Sequence, residues 1–190
     1  MGTFKVAAVQ AAPVYLDREA TIAKACGLVA EVSANGARLA VFPETWVPGY
    51  PVWANADSRW NYEPAKKAYA ELYRNSVDVP GRALWPLQQA AREHGVAVVM
   101  GVNERCATGT LYNSMVFIDS DGTLLGCHRK LVPTYHERMI WGRGDGSTLS
   151  VFDSSVGKLG GLVCWEHWMP LARYALYAEG EQVHAALWPS

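Results

Sequence analysis

Three side chains of complementary chemistry stand at the ends of apolar runs in this sequence: Glu44 after residues 38–42, Lys130 after 123–129 and Cys164 after 159–163. A thiol attacks an electrophilic carbon as its thiolate, so it needs a base. A carboxylate in a dry pocket has its pKa raised into the range where it takes a proton at neutral pH. A nearby ammonium stabilises negative charge that develops on the substrate. Glu44, Lys130 and Cys164 thus supply a base, an electrostatic stabiliser and a nucleophile, provided the fold brings them together. Each also has a plainer reading alone: Cys164 as a small buried hydrophobe, Glu44 as an exposed carboxylate at a strand end, and Lys130 as half of a solvated Arg129-Lys130 pair. Pro170 suits the first turn of a helix, which puts Cys164 at a strand-to-helix junction. A helix N-terminus there would favour the thiolate.

The elements that must position these residues are legible from periodicity and punctuation. Residues 4–10 read as a first strand and 38–42 as a second, buried one, separated by a helix over 18–34 that Asp17 caps and Asn35-Gly36 ends. Residues 45–62 form a long aperiodic stretch rich in Trp, Tyr and Pro, the kind of loop that is usually functional. Helices are expected over 63–76 and 82–93, and a valine-rich strand over 96–102. Residues 111–118 and 123–130 flank Asp119-Ser120-Asp121-Gly122 and predict a β-hairpin. A glycine-containing loop follows over 131–147. Residues 149–152 and 159–163 flank a turn at 154–157 as another antiparallel pair. The last elements are a helix over 170–179 and a strand over 183–188. This mixture of alternating and hairpin-paired strands predicts an α/β layered fold with mixed sheets.

Composition bounds the alternatives. The 190 residues are 50% hydrophobic and 18% charged with a formal net charge of −1, so a single globular domain over residues 1–190 is expected. No basic cluster suggests a nucleic-acid partner, and the longest apolar runs are too short for a membrane span. The N-terminus lacks the pattern of a signal peptide, and Val6 stands where a myristoylation signal needs Ser or Thr. A cytoplasmic location is expected. Cys26, Cys106, Cys127 and Cys164 are widely spaced, with no Cys-x-x-Cys pair and no zinc-ligand spacing to the five histidines. Reduced thiols and no metal are the expectation. The chain stops directly after the apolar strand over 183–188, with nothing to cover it, and reads as the N-terminal portion of something longer.

Phe42-Pro43-Glu44, His128-Arg129-Lys130-Leu131 and Gly161-Leu162-Val163-Cys164-Trp165-Glu166 together resemble the three signature segments of the nitrilase superfamily of carbon–nitrogen hydrolases. Residues 130–138, Trp141-Gly142-Arg143-Gly144-Asp145-Gly146 and Cys164-Trp165-Glu166-His167-Trp168 resemble its nitrilase branch, and the likeness runs from about Val6 to Ser190. The resemblance implies an α-β-β-α sandwich and a catalytic set in which Cys164 is the nucleophile, Glu44 the base and Lys130 the stabilising cation. Glu137 matches a second glutamate that helps position the lysine and substrate. The backbone N–H of Trp165 is expected to stabilise charge on the substrate. The implied activity is hydrolysis of small organic nitriles to carboxylic acid and ammonia, without a cofactor, by a homo-oligomer. An amidase or a cyanide-degrading enzyme is the alternative within the superfamily. An inactive fragment acting only in oligomerisation is the alternative outside it.

Other features were weighed against this reading. Tyr50 and Trp188, with Trp46, Trp53 and Trp60, either line a substrate pocket or are ordinary core or interface. Gly142-x-Gly144-x-Gly146 is not a phosphate loop, since no strand leads directly into it and no Lys-Ser/Thr follows; it reads as a loop of close backbone approach. His128, His136 and His167 offer a Cys-His dyad, but hydrogen bonding behind the site or at the surface is preferred because no peptidase-like cysteine signature is present.

Overall fold

The computed structural model describes residues 2–55 and 61–189. Among these residues, eight strands form two sheets. The first contains β1 (Lys5–Ala8), β2 (Ala37–Val41), β3 (Ala97–Arg105), β4 (Leu111–Ile118) and β5 (Leu124–Arg129), in that spatial order. β1, β2 and β3 run parallel, while β3, β4 and β5 pair antiparallel. The second sheet contains β6 (Phe152–Ser154), β7 (Gly157–Val163) and β8 (Val183–Leu187), with β6–β7 antiparallel and β7–β8 parallel. The helices are α1 (Arg18–Ala34), α2 (Glu63–Asn75), α3 (Trp85–His94) and α4 (Pro170–Ala178).

Strand alternation places three cores. Val98, Met100 and Val102 of β3 face α1 and α3, packing with Ile22, Val29 and Leu87. The alternate residues Ala97 and Val99 face the other way and meet Leu159, Val163, Ala185 and Leu187 of the second sheet. Behind that sheet, Leu162 packs on Ala172 and Leu176 of α4. The layers are therefore helix, sheet, sheet, helix, as the resemblance implied. The expected hairpin at residues 119–122 forms, and so does an antiparallel pair before Cys164, with its first strand at Phe152–Ser154 where 149–152 was expected.

The differences are local. The helix expected from residue 82 begins with a 3-10 turn (Arg82–Leu84) before α3, and Pro86 stands in the first turn of the α-helix, where a missing N–H is tolerated. The glycine-containing loop after β5 is built from 3-10 turns at Tyr135–Met139 and Gly146–Thr148. Cys164 is not at the N-terminus of α4. It opens a separate 3-10 turn, Cys164–Trp168, and Met169 intervenes before the helix starts at Pro170. The dipole argument for a resting thiolate therefore loses its structural basis.

β3 brings the chain close beneath one reactive position. A Cβ added at Gly101 would lie 2.1 Å from the Pro43 carbonyl oxygen, 2.5 Å from Thr45 N and 2.8 Å from Glu44 Cα. All three are backbone atoms, so relief requires moving the segment that carries Glu44. Gly101→Ala is expected to destabilise the fold by about 1–3 kcal/mol, the range for overpacking. A denaturant melt against the parent protein checks this; an unchanged midpoint would contradict the close approach.

Candidate active site

Glu44 sits just beyond β2, where the chain turns along β3. Its backbone N–H donates to the Trp188 carbonyl at 3.0 Å, so the segment after β8 holds it on one side while Gly101 supports it on the other. Lys130 directly follows β5, and its N–H bonds the Asn113 carbonyl at 2.8 Å. Its side chain is 1% exposed, as deep as any apolar core residue. Burying an ammonium this way is tolerable only with opposite charge beside it. Two carboxylates provide that: Lys130 Nζ donates to Glu44 Oε1 at 2.9 Å and to Glu137 Oε2 at 2.8 Å. Burial alone would lower the Lys130 pKa, but Glu44 and Glu137 outweigh it and hold the ammonium above its ordinary value.

The two carboxylates are engaged differently. Both oxygens of Glu137 have donors. Oε1 accepts from the Tyr50 hydroxyl at 2.8 Å, and Oε2 accepts from Thr134 N at 2.7 Å as well as from Lys130. The Thr134 bond belongs to a capping box that opens the 3-10 turn at Tyr135–Met139. Glu44 is bonded through one oxygen only: Oε1 accepts from Lys130 and, at 2.6 Å, from Asn113 Nδ2. Its Oε2 is buried with no hydrogen-bond partner. Burial raises the Glu44 pKa more than Lys130 lowers it, and Glu137 adds to the rise. A carboxylate so placed has one oxygen held and one free to take a proton.

Cys164 lies at the end of β7 with φ = 55°. Only a few per cent of residues other than glycine adopt positive φ, and such positions concentrate where function demands an orientation. Thr45 (φ = 47°), next to Glu44, and Tyr135 (φ = 49°), in the turn that carries Glu137, share this strained region. The Cys164 thiol is pushed up to about 11, chiefly by burial and then by the Glu44 charge; Lys130 and the backbone N–H of Trp165 pull the other way. This direction is opposite to the sequence expectation of a helix-stabilised thiolate.

Tyr50 hydrogen-bonds Glu137 and packs edge-on against Trp141 at 5.7 Å. Trp188, 42% exposed, stacks on His167. The Trp165 side chain is exposed and stacks on Trp168 at 5.3 Å. Trp46 belongs to the core between α1 and the first sheet, beside Phe42. Trp53 is partly buried against the cluster of Leu72, Leu111 and Trp141, and Trp60 lies outside the described residues. None of the three histidines forms a dyad with the thiol in the contacts seen: His167 Nδ1 meets the Cys164 carbonyl, His128 meets Glu166, and His136 meets Asn55. The close-approach reading of the glycine loop holds at Gly144, whose N–H bonds the Lys130 carbonyl and where a Cβ would lie 2.4 Å from Arg129 O. Among the described residues, no group of three or more His, Cys, Asp or Glu side chains could hold a metal ion.

Asn113 and Glu166 were missed from sequence. Asn113 had a signal, since Asn113-Ser114 interrupts an otherwise apolar strand and a buried polar residue must have a partner. Glu166 lay inside the cysteine segment itself, two residues past the thiol.

A family model described as carbon–nitrogen hydrolase matches residues 5–190. The chain is 47% identical over 189 residues to a nitrilase from Bacillus sp. (strain OxB-1), covering 98% of this chain and 53% of that one. It is 44% identical to an aliphatic nitrilase from Rhodococcus rhodochrous, covering 100% and 49%, and 44% identical to an arylacetonitrilase from Aspergillus niger, covering 97% and 55%. The chain thus spans about half the length of the curated relatives it matches. A carbon–nitrogen hydrolase from Helicobacter pylori G27 superposes with a TM-score of 0.73 at 22% identity, covering 95% of this chain and 59% of that one. An amidase from Nesterenkonia sp. superposes with a TM-score of 0.67 at 22% identity, covering 95% and 64%. At that identity the two structures speak to the fold, and the family match to residues 5–190 says the rest: this chain belongs to the carbon–nitrogen hydrolases.

Proposed function

We propose that the protein hydrolyses organic nitriles to carboxylic acids and ammonia, with Cys164 as nucleophile. The observation that carries this reading is the unequal engagement of the two glutamates around Lys130, which leaves Glu44 Oε2 as a free, buried proton acceptor. Glu44 takes the Cys164 proton as sulfur attacks the nitrile carbon, and the nitrile nitrogen gains a proton to give a covalent thioimidate. Water adds to that carbon, the carbon–nitrogen bond breaks, and ammonia leaves with a thioester behind. A second water displaces the thiol, releasing the acid and returning Cys164. Lys130 and the Trp165 backbone N–H stabilise charge on the substrate nitrogen and then oxygen. Glu137, with both oxygens occupied, holds Lys130 in place, and Tyr50 holds Glu137. Tyr50, Trp165 and Trp188 border the substrate in this reading. The relatives named nitrilase favour a nitrile over an amide substrate.

All four cysteines are free, and a cytoplasmic location is part of the same reading. No described helix is long and apolar enough to cross a membrane. A homo-oligomer is part of the same reading, supported by the exposed apolar side chains Trp168, Leu171, Tyr174 and Tyr177 on and beside α4. Leu171→Glu is expected to reduce the assembly seen by sedimentation velocity; a parent that sediments as a monomer would remove this part.

The protein is expected to release ammonia from a nitrile panel and to lose that activity in Cys164→Ala. Turnover that survives the substitution would sink the proposal, and amide turnover far above nitrile turnover would make it an amidase. The pH dependence adds a second check. The thiol pKa is raised by burial and the Glu44 charge, so Cys164 alkylation by iodoacetamide should climb with pH toward a midpoint near 11. Glu44→Gln removes a negative charge and should lower that midpoint while abolishing turnover. A midpoint that stays or rises would place Glu44 away from the thiol.

A further inference from the structure

Glu166 takes no part in the steps above, yet it is 1% exposed and fully bonded. Its Oε2 accepts from the backbone N–H of Val163 at 2.7 Å, and its Oε1 accepts from the backbone N–H of Leu131 at 2.7 Å. His128 Nε2 lies 3.1 Å from both oxygens and is the donor if the carboxylate is ionised, since that form only accepts. Val163 is the chain neighbour of Cys164, and Leu131 is the chain neighbour of Lys130. The two belong to different sheets: β5, which Lys130 follows, is in the five-stranded sheet, and β7, which Cys164 follows, is in the three-stranded one. One buried carboxylate therefore joins two sheets through backbone atoms adjacent to both reacting side chains.

We propose that Glu166 is a positioning residue, a clasp that holds the backbone beside Cys164 to the backbone beside Lys130 and so fixes the thiol relative to the ammonium and to Glu44. This rests on the roles assigned above to Cys164 and Lys130. Backbone anchoring explains why a carboxylate is needed here. It offers one oxygen to each of these two N–H groups, and charge-assisted bonds are about twice as strong as neutral ones. Glutamine has nearly the same shape but only one oxygen, so in Glu166→Gln one N–H meets the amide NH2 instead of an acceptor.

The test follows Cys164 itself. In Glu166→Gln the turn at residues 164–168 loosens, water reaches the thiol, and the thiol moves away from Glu44. Both changes lower its pKa; the loss of Lys130 acts oppositely and is the lesser effect. At a temperature where both proteins are folded, the iodoacetamide midpoint at Cys164 is expected to fall from near 11 toward the ordinary 9.0. A role in stability alone would lower the melting temperature and leave the midpoint where it is, and that result overturns the proposal. Should the variant not fold, amide exchange in the parent decides. The Leu131 N–H lies outside any strand, and if clasped it should exchange at least about 100-fold slower than in an unstructured peptide; exchange at the peptide rate overturns the clasp. Nitrile turnover by the parent is measured separately. If it is absent while the midpoint shifts as expected, the nitrile reading fails and the clasp stands; if it is present while the midpoint does not move, the reverse holds.

Discussion

The structure depends on one buried ammonium held between two carboxylates. Lys130 is inaccessible to water, and Glu44 and Glu137 are within hydrogen-bond distance of its Nζ from opposite parts of the chain. Removing Lys130 would leave two buried carboxylates with no cation between them, and breaking a buried pair in this way typically costs about 3–5 kcal/mol. The arrangement is therefore costly as a means of stability and informative as a site. It brings the segment after β2, the end of β5 and the loop after β5 to a single point, and it sets the protonation of its members against one another. Lys130 is held charged, while Glu44, buried deeply and only half bonded, is pushed toward accepting a proton.

Backbone strain is placed around the same point. Thr45, Tyr135 and Cys164 all have positive φ without being glycine, and each is on or adjacent to a segment carrying a site residue. A β-branched threonine in that region is a true outlier. Such conformations survive only where the surroundings over-determine them. Here the restraints are visible: Gly101 beneath Glu44, the Trp188 carbonyl on the Glu44 N–H, the capping box under Glu137, and Glu166 between the ends of β5 and β7. The two sheets thus act as separate supports whose relative placement matters, since the thiol comes from one and the ammonium and its carboxylates from the other.

Much of this was legible in the sequence. The period-two runs and the turn at residues 119–122 located β4 and β5 nearly to the residue, and the apolar run before Cys164 located β7. The three signature segments singled out Glu44, Lys130, Glu137 and Cys164, of which the structure brings Glu44, Lys130 and Glu137 into direct contact. What could not be read was the state of the thiol. A helix start six residues after Cys164 suggested a stabilised thiolate, but the intervening 3-10 turn separates the two, and burial beside Glu44 acts in the opposite direction. Tyr50 and Trp46 were likewise ambiguous, because an aromatic residue in a loop shows its partners only in three dimensions. One proved to be bonded to Glu137 and the other to be core. Asn113 showed only that it needed a partner, and Glu166 stood unremarked in the cysteine segment; the Glu44 oxygen that Asn113 meets and the Leu131 N–H that Glu166 meets are 69 and 35 residues away.

The central claim is that this constellation activates Cys164 to form a covalent bond to a nitrile carbon. Its most direct test is to mix the protein with a nitrile, quench with acid and map the modified peptide by mass spectrometry. The account predicts an adduct on Cys164 with the mass of the nitrile, or of the acyl group left after ammonia departs. Nitrile hydrolysis with no adduct on Cys164, or with the adduct on Cys26, Cys106 or Cys127, would contradict it.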